Sequence, residues 1–188
     1  MSHPVGPPAL AVVELGSIAR GLIVVDAIVK RAPVRLAVAD PVTPGKFVIV
    51  FVGDEAAVDE SLEAGREAAG TAELDVLVLP YAHRAILPAL TRVEAPPIDG
   101  ALGMLELRTV SATILAADCA LKAAHVELAA LHWARGIDGK GYLVITGEQD
   151  AVEAALDAGF EAVPPNMRVG RELVARPHPD LDWVLSRL

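Results

Sequence analysis

The chain has 188 residues, a formal net charge of −9 and a single cysteine. The charge is spread evenly, with no basic patch, charged tail or aromatic platform, which argues against a nucleic-acid partner; one cysteine excludes an internal disulfide framework. Hydrophobic residues make up 53% and mean hydropathy is +0.44, yet no run of about 18 apolar residues lacks a charge, so no membrane span is expected and the surplus apolar surface should lie between subunits.

Residues 1–8 are polar and proline-rich and read as a flexible lead-in without a secretory leader, so the default location is cytoplasmic. Leu10 to Leu15 reads as a strand. Ser17 suits the N-cap of a helix to about Arg31, with Ile18, Leu22, Val25 and Val29 on one apolar stripe. Val34 to Val38 is a second strand. Asp40 to Gly45 holds two prolines and a glycine and reads as a loop. Phe47 to Val52 is an apolar run, expected as a buried strand. Asp54 is a good cap for a helix to about Gly70, and a strand over Asp75 to Leu79 precedes a short helix near Arg84 to Leu90.

The same order then returns: strand 101–107, helix 109–124, strand 125–133, loop 134–140, strand 141–146, helix 148–158, strand 172–175 and helix 179–187. The residues return as well. Ala9-Leu10-Ala11-Val12-Val13-Glu14-Leu15 reappears as Ala101-Leu102-Gly103-Met104-Leu105-Glu106-Leu107, and Asp26 and Lys30 as Asp118 and Lys122, all 92 positions on. Gly45-Lys46 and Gly53 reappear as Gly139-Lys140 and Gly147 at an offset of 94, so the second copy carries two extra residues between these landmarks. A repeat this long is a duplicated domain, not a short solenoid unit. The expected organisation is a lead-in over 1–8, a first domain over 9–90, a proline-bearing linker over 91–100 and a second domain over 101–188. Each copy reads β-α-β-β-α-β, an α+β ferredoxin-like sandwich with one sheet and two helices on one face.

No catalytic set appears: there is no G-x-S-x-G, G-x-G-x-x-G or P-loop, and Gly136-Ile137-Asp138-Gly139-Lys140 lacks the spacing of a phosphate cradle. Asp118, Lys122 and His125 give no evident catalytic geometry. Asp26/Lys30 and Asp118/Lys122 are i,i+4 helix pairs. Cys119, among alanines on a helix, reads as a small core residue, and Trp133 and Trp183 as packing residues. His178 with Asp180 and Asp182 has no second histidine at ligand spacing, so no metal is expected.

The landmarks together resemble the bacterial microcompartment shell domain. They are Ala101 to Glu106, Asp118 to Lys122, Gly136 to Gly139, Gly147-Glu148 with Val152, and Arg176-Pro177-His178. The first copy matches with Glu14, Asp26 to Lys30, Gly45 and Gly53-Asp54 with Val58, and ends more weakly on Pro80-Tyr81-Ala82-His83. The resemblance spans residues 9 to 188. A tandem, unpermuted arrangement is similar to the trimeric, pseudohexameric members of that family. It implies a homotrimeric tile in a microcompartment shell, meeting hexameric shell proteins at its edges and passing small metabolites through a central pore. It places Lys30, Lys122, Arg176, His178 and His83 at the tile edge. It places two loops at the pore, Thr43-Pro44-Gly45 and Ile137-Asp138-Gly139, as alternating hydroxyl and carboxylate rings.

Thr43-Pro44-Gly45-Lys46 resembles the Cys-Pro-Gly-Lys of the propanediol-utilisation type, which is thought to hold an iron–sulfur cluster on the threefold axis. Thr43 stands at the cysteine position, and a hydroxyl is a poor ligand for chemistry that needs thiolates, so no cofactor is expected. The alternative reading is a soluble tandem-module regulatory protein that binds a small molecule and shifts its melting temperature with that ligand.

Overall fold

The computed structural model describes residues 8–91, 98–133, 136 and 138–181. The chain divides into two compact units, the first reaching to Ala82 and the second beginning at His83. In the first unit the order is β1 (Ala9–Leu15), α1 (Ile18–Arg31), β2 (Arg35–Val42), β3 (Lys46–Gly53), α2 (Glu55–Ala69) and β4 (Glu73–Leu79). Its sheet runs β2-β3-β1-β4, antiparallel throughout. The second unit opens with α3 (Ile86–Thr91) and continues with β5 (Ala101–Leu107), α4 (Val110–Ala123), β6 (Glu127–Trp133), β7 (Gly141–Gly147), α5 (Gln149–Glu161) and β8 (Arg168–Val174). Its sheet runs β6-β7-β5-β8, again antiparallel. Both units are ferredoxin-like α+β sandwiches.

Local chemistry sets the element ends. Ser17 Oγ accepts from Arg20 N at 3.3 Å, Asp54 Oδ1 from Ala57 N at 2.8 Å, and Thr109 Oγ1 from Ala112 N at 3.1 Å. Each cap satisfies one of the orphan N–H groups of a first helical turn. At the far end of α5 the Arg168 guanidinium donates to Val163 O and Glu161 O and lies 5.1 Å over the Phe160 ring.

In the first unit β1 contributes Ala11, Val13 and Leu15 to a core closed by Val24 and Ile28 of α1, Phe47, Ile49 and Phe51 of β3, and Val58 and Leu62 of α2. Helix pairs cross on a repeated glycine. Gly65 of α2 lies against Ile28 and Val24 of α1, and Gly159 of α5 lies against the Ala116 carbonyl and the Ala120 methyl of α4.

Four expectations change. The buried face of α1 is Gly21, Val24 and Ile28, whereas Ile18, Leu22 and Val29 of the anticipated stripe are exposed. Gly21 turns inward because the Phe47 ring fills the space where a Cβ would sit. The loop expected over Asp40 to Gly45 shrinks to residues 43–45, since β2 runs on through Pro41 to Val42. Pro41 is tolerated because β2 is an edge strand, where a missing N–H can face outward. On the opposite edge β8 begins at Arg168, before the anticipated 172. The helix near 84–90, anticipated within the first domain, packs as α3 on β6 and α4, and Leu90 O accepts from Trp133 Nε1 at 3.1 Å. The helix expected over 179–187 and the packing role of Trp183 fall largely or wholly outside the described residues.

Candidate functional site

The two copies keep an offset of 92 through β6, 94 from the end of β7 through α5 and 95 at β8, so two extra residues of the second copy lie in the β6–β7 connection and one between α5 and β8. That connection is the counterpart of the β2–β3 turn. In the first unit the turn is short: Gly45 N–H donates to Val42 O at 2.9 Å, and Gly45 takes φ +109, which glycine adopts without steric cost. Thr43, Pro44 and Gly45 are all exposed, and the Thr43–Pro44 peptide is cis. In the second unit Gly136, Asp138 and Gly139 all have positive φ, Asp138 at +57. Aspartate is among the few side chains that accept this region. Asp138 is exposed and Gly139 buried, and Ile137 lies outside the described residues.

A lysine at the foot of each connection pairs with the strand beside it. Lys46 Nζ lies 3.7 Å from Glu14 Oε2, and Lys140 Nζ donates to Glu106 Oε1 at 2.7 Å. The glutamates sit on β1 and β5, opposite Val48 and Tyr142 of the strands that leave the turns. The first pair is deeper: the Glu14 side chain is fully buried, whereas Glu106 is 35% exposed. Lys46→Met is expected to destabilise the fold by about 2–3 kcal/mol, because it strips the cation from a buried carboxylate. Lys140→Met should cost under about 1 kcal/mol, since its pair is half in water. Denaturant unfolding separates the two, and equal losses would contradict this assignment. The sequence displayed all four residues as recurring landmarks; their pairing follows only once the β1–β3 and β5–β7 registers are known.

The Asp–Lys pairs form as their spacing implies. Asp26 Oδ2 accepts from Lys30 at 2.7 Å and Asp118 Oδ2 from Lys122 at 2.5 Å. Their settings differ. The Asp26 side chain is 58% exposed and that of Asp118 only 5%. Asp118 Oδ1 also accepts the His83 backbone N–H at 2.7 Å. Burial holds the His83 imidazole below its usual pKa, against the pull of Asp118, and burial pushes the Cys119 thiol up. Arg176 and His178 follow β8 and are exposed. His125 lies just past α4, exposed.

The donor set does not fit an iron–sulfur cluster. The β2–β3 turn offers a threonine hydroxyl and no thiol, and the one cysteine of the chain, Cys119, is inside α4. Among the described residues no group of three or more His, Cys, Asp or Glu side chains could hold a metal ion.

A family model described as the BMC domain matches the chain twice, over residues 9–81 and 101–177. The chain belongs to the BMC domain family. It is 38% identical over 171 residues to the bacterial microcompartment shell protein PduT of Citrobacter freundii, covering 90% of this chain and 93% of that relative. It is 42% identical over 93 residues to the carboxysome shell protein CsoS1A of Hydrogenovibrio crunogenus, which covers 46% of this chain but 90% of that relative. Half of this chain is thus equivalent to a whole single-domain relative. Among solved structures, that of a microcompartments protein from Desulfitobacterium hafniense DCB matches with a TM-score of 0.88 at 35% identity, covering 95% of this chain and 99% of that one. Like its relatives, this BMC-domain chain is a structural shell protein. Among the described residues no helix is long and apolar enough to cross a membrane.

Proposed function

We propose that the chain forms a homotrimeric shell tile whose six BMC domains surround a central pore for small metabolites. One observation carries this reading. Ile18, Leu22 and Val29 of α1 are 45, 69 and 43% exposed, whereas their repeat counterparts on α4, Val110, Ile114 and Leu121, are 0, 0 and 7% exposed. Two copies of one fold have no reason to bare an apolar stripe on one and cover it on the other, unless a further chain covers the first. Three chains supply near-sixfold edges to a hexagonal layer with only threefold symmetry.

In this assembly both units run unpermuted, and the β2–β3 and β6–β7 connections alternate around the opening. Thr43, Pro44 and Gly45 present hydroxyl and backbone groups; Asp138, with Ile137 and Gly139, presents a carboxylate. Three such carboxylates raise the barrier to anions and admit neutral or cationic metabolites. Lys30, Lys122, Arg176, His178 and His83 lie along the edges that meet hexameric shell proteins, at the corners where neighbouring chains of the tile also meet. The tile works by geometry and carries no catalytic residues or cofactor, within the shell of a bacterial microcompartment.

Edge contacts are tested by Lys30→Ala and Lys122→Ala. Both variants should keep the wild-type mass in solution but form smaller or fewer sheets in electron micrographs. Sheets indistinguishable from wild type would remove the edge assignment.

A further inference from the structure

The two copies end on equivalent segments. His83 lies four residues past β4 and His178 four residues past β8, so Tyr81-Ala82-His83 corresponds to Arg176-Pro177-His178. Within the second unit the first of these segments has found its acceptor: the His83 backbone N–H donates to Asp118 Oδ1 at 2.7 Å. Asp118 keeps Lys122 on its other oxygen, and the carboxylate is buried. Asp26 holds the same place on α1 and keeps Lys30 in the same way, yet its carboxylate stands 58% exposed. His178 is exposed as well, with 75% of its side chain open.

We infer that the His178 backbone N–H of a second copy donates to Asp26, completing between chains the contact that His83 and Asp118 make within one. This rests on the trimer reading. In a ring of six like units, repeat counterparts take equivalent places. The segment after β8 must then meet the acceptor that the segment after β4 meets. The local chemistry suits the role. Pro177 and Pro179 have no N–H, so His178 supplies the only backbone donor of the three. Preceding Pro179, His178 favours extended backbone. An ionised carboxylate is a strong acceptor for a backbone N–H. The bond would sit beside the exposed Leu22 and Val29 stripe, so one partner would cover both.

The test uses the full chain and reads the concentration at which the trimer dissociates, by sedimentation. Asp26→Ala removes the acceptor, and His178→Pro removes the donor while keeping the extended backbone. Each should raise the dissociation midpoint about tenfold. Asp26→Asn, which keeps an accepting oxygen, should lose less, and His178→Ala, which keeps the N–H, should stay near wild type. Lys30→Ala, which loses the same helix pair as Asp26→Ala, should also stay near wild type. A wild-type trimer whose Asp26→Ala and His178→Pro variants dissociate at the wild-type midpoint overturns this contact and leaves the trimer standing. A monomeric wild type overturns both.

Discussion

Gly159→Ala is expected to destabilise the second unit by about 2–3 kcal/mol, whereas Gly65→Ala should cost no more than about 1 kcal/mol. The two glycines are repeat counterparts, and each lies where the two helices of its unit cross. Their neighbours differ in what can yield. A Cβ at Gly159 would lie 2.7 Å from the Ala116 carbonyl oxygen and 3.2 Å from the Ala120 methyl. These belong to the α4 backbone and its shortest side chain, so relief requires the helices to move apart. A Cβ at Gly65 would meet Ile28 Cγ1 at 2.8 Å and Cδ1 at 3.0 Å, side-chain atoms rather than helix backbone, so relief asks for a smaller shift than moving the helices apart. Both substitutions also gain about 1 kcal/mol of helix propensity, which offsets much of the smaller strain and little of the larger. Thermal melts should therefore fall by several degrees for Gly159→Ala and change little for Gly65→Ala. Equal melting temperatures would show that the α4–α5 crossing is looser than its geometry implies.

Leu22→Asp is expected to abolish the trimer while sparing the fold. Leu22 is 69% exposed, so the aspartate meets water in the isolated chain and the unit keeps its core. In the trimer the same side chain would carry a charge into an apolar contact with no partner, at each of three junctions. The dissociation midpoint should rise at least roughly a hundredfold, with an unchanged far-ultraviolet circular dichroism spectrum. Ile114→Asp, at the counterpart position, should instead unfold the second unit, because Ile114 is fully buried. A Leu22→Asp protein that stays trimeric would place the subunit contact elsewhere and remove the main support for the tile.

The doubling of the sequence made element order readable, because each weak local signal occurred twice. Ser17, Asp54 and Thr109 are polar residues placed one step before apolar helical runs, so the helix starts needed no tertiary information. The apolar β3 and β7 runs were equally plain. The inward face of α1 was not. Ile18, Leu22, Val25 and Val29 make as good a helical stripe as Gly21, Val24 and Ile28, since the helix is apolar on two sides. Periodicity reports apolar faces without saying which one the chain itself covers, and here the Phe47 ring selects the side with the glycine. Edge strands were also undercalled: Pro41 in β2 and Gly170 with Arg171 in β8 look like loop residues, but each lies on a strand with one free side. The Glu14–Lys46 and Glu106–Lys140 pairs were visible as residues and invisible as pairs, because sheet register joins positions more than thirty apart.

In the proposed tile one duplicated chain supplies two of six places around a ring. Light scattering of the wild-type protein eluting from gel filtration, across the low micromolar range, tests it most directly. A single species of about three times the 19.6 kDa chain mass is expected. A stable species at 19.6 kDa over that range, with its α1 stripe left in water, would contradict it.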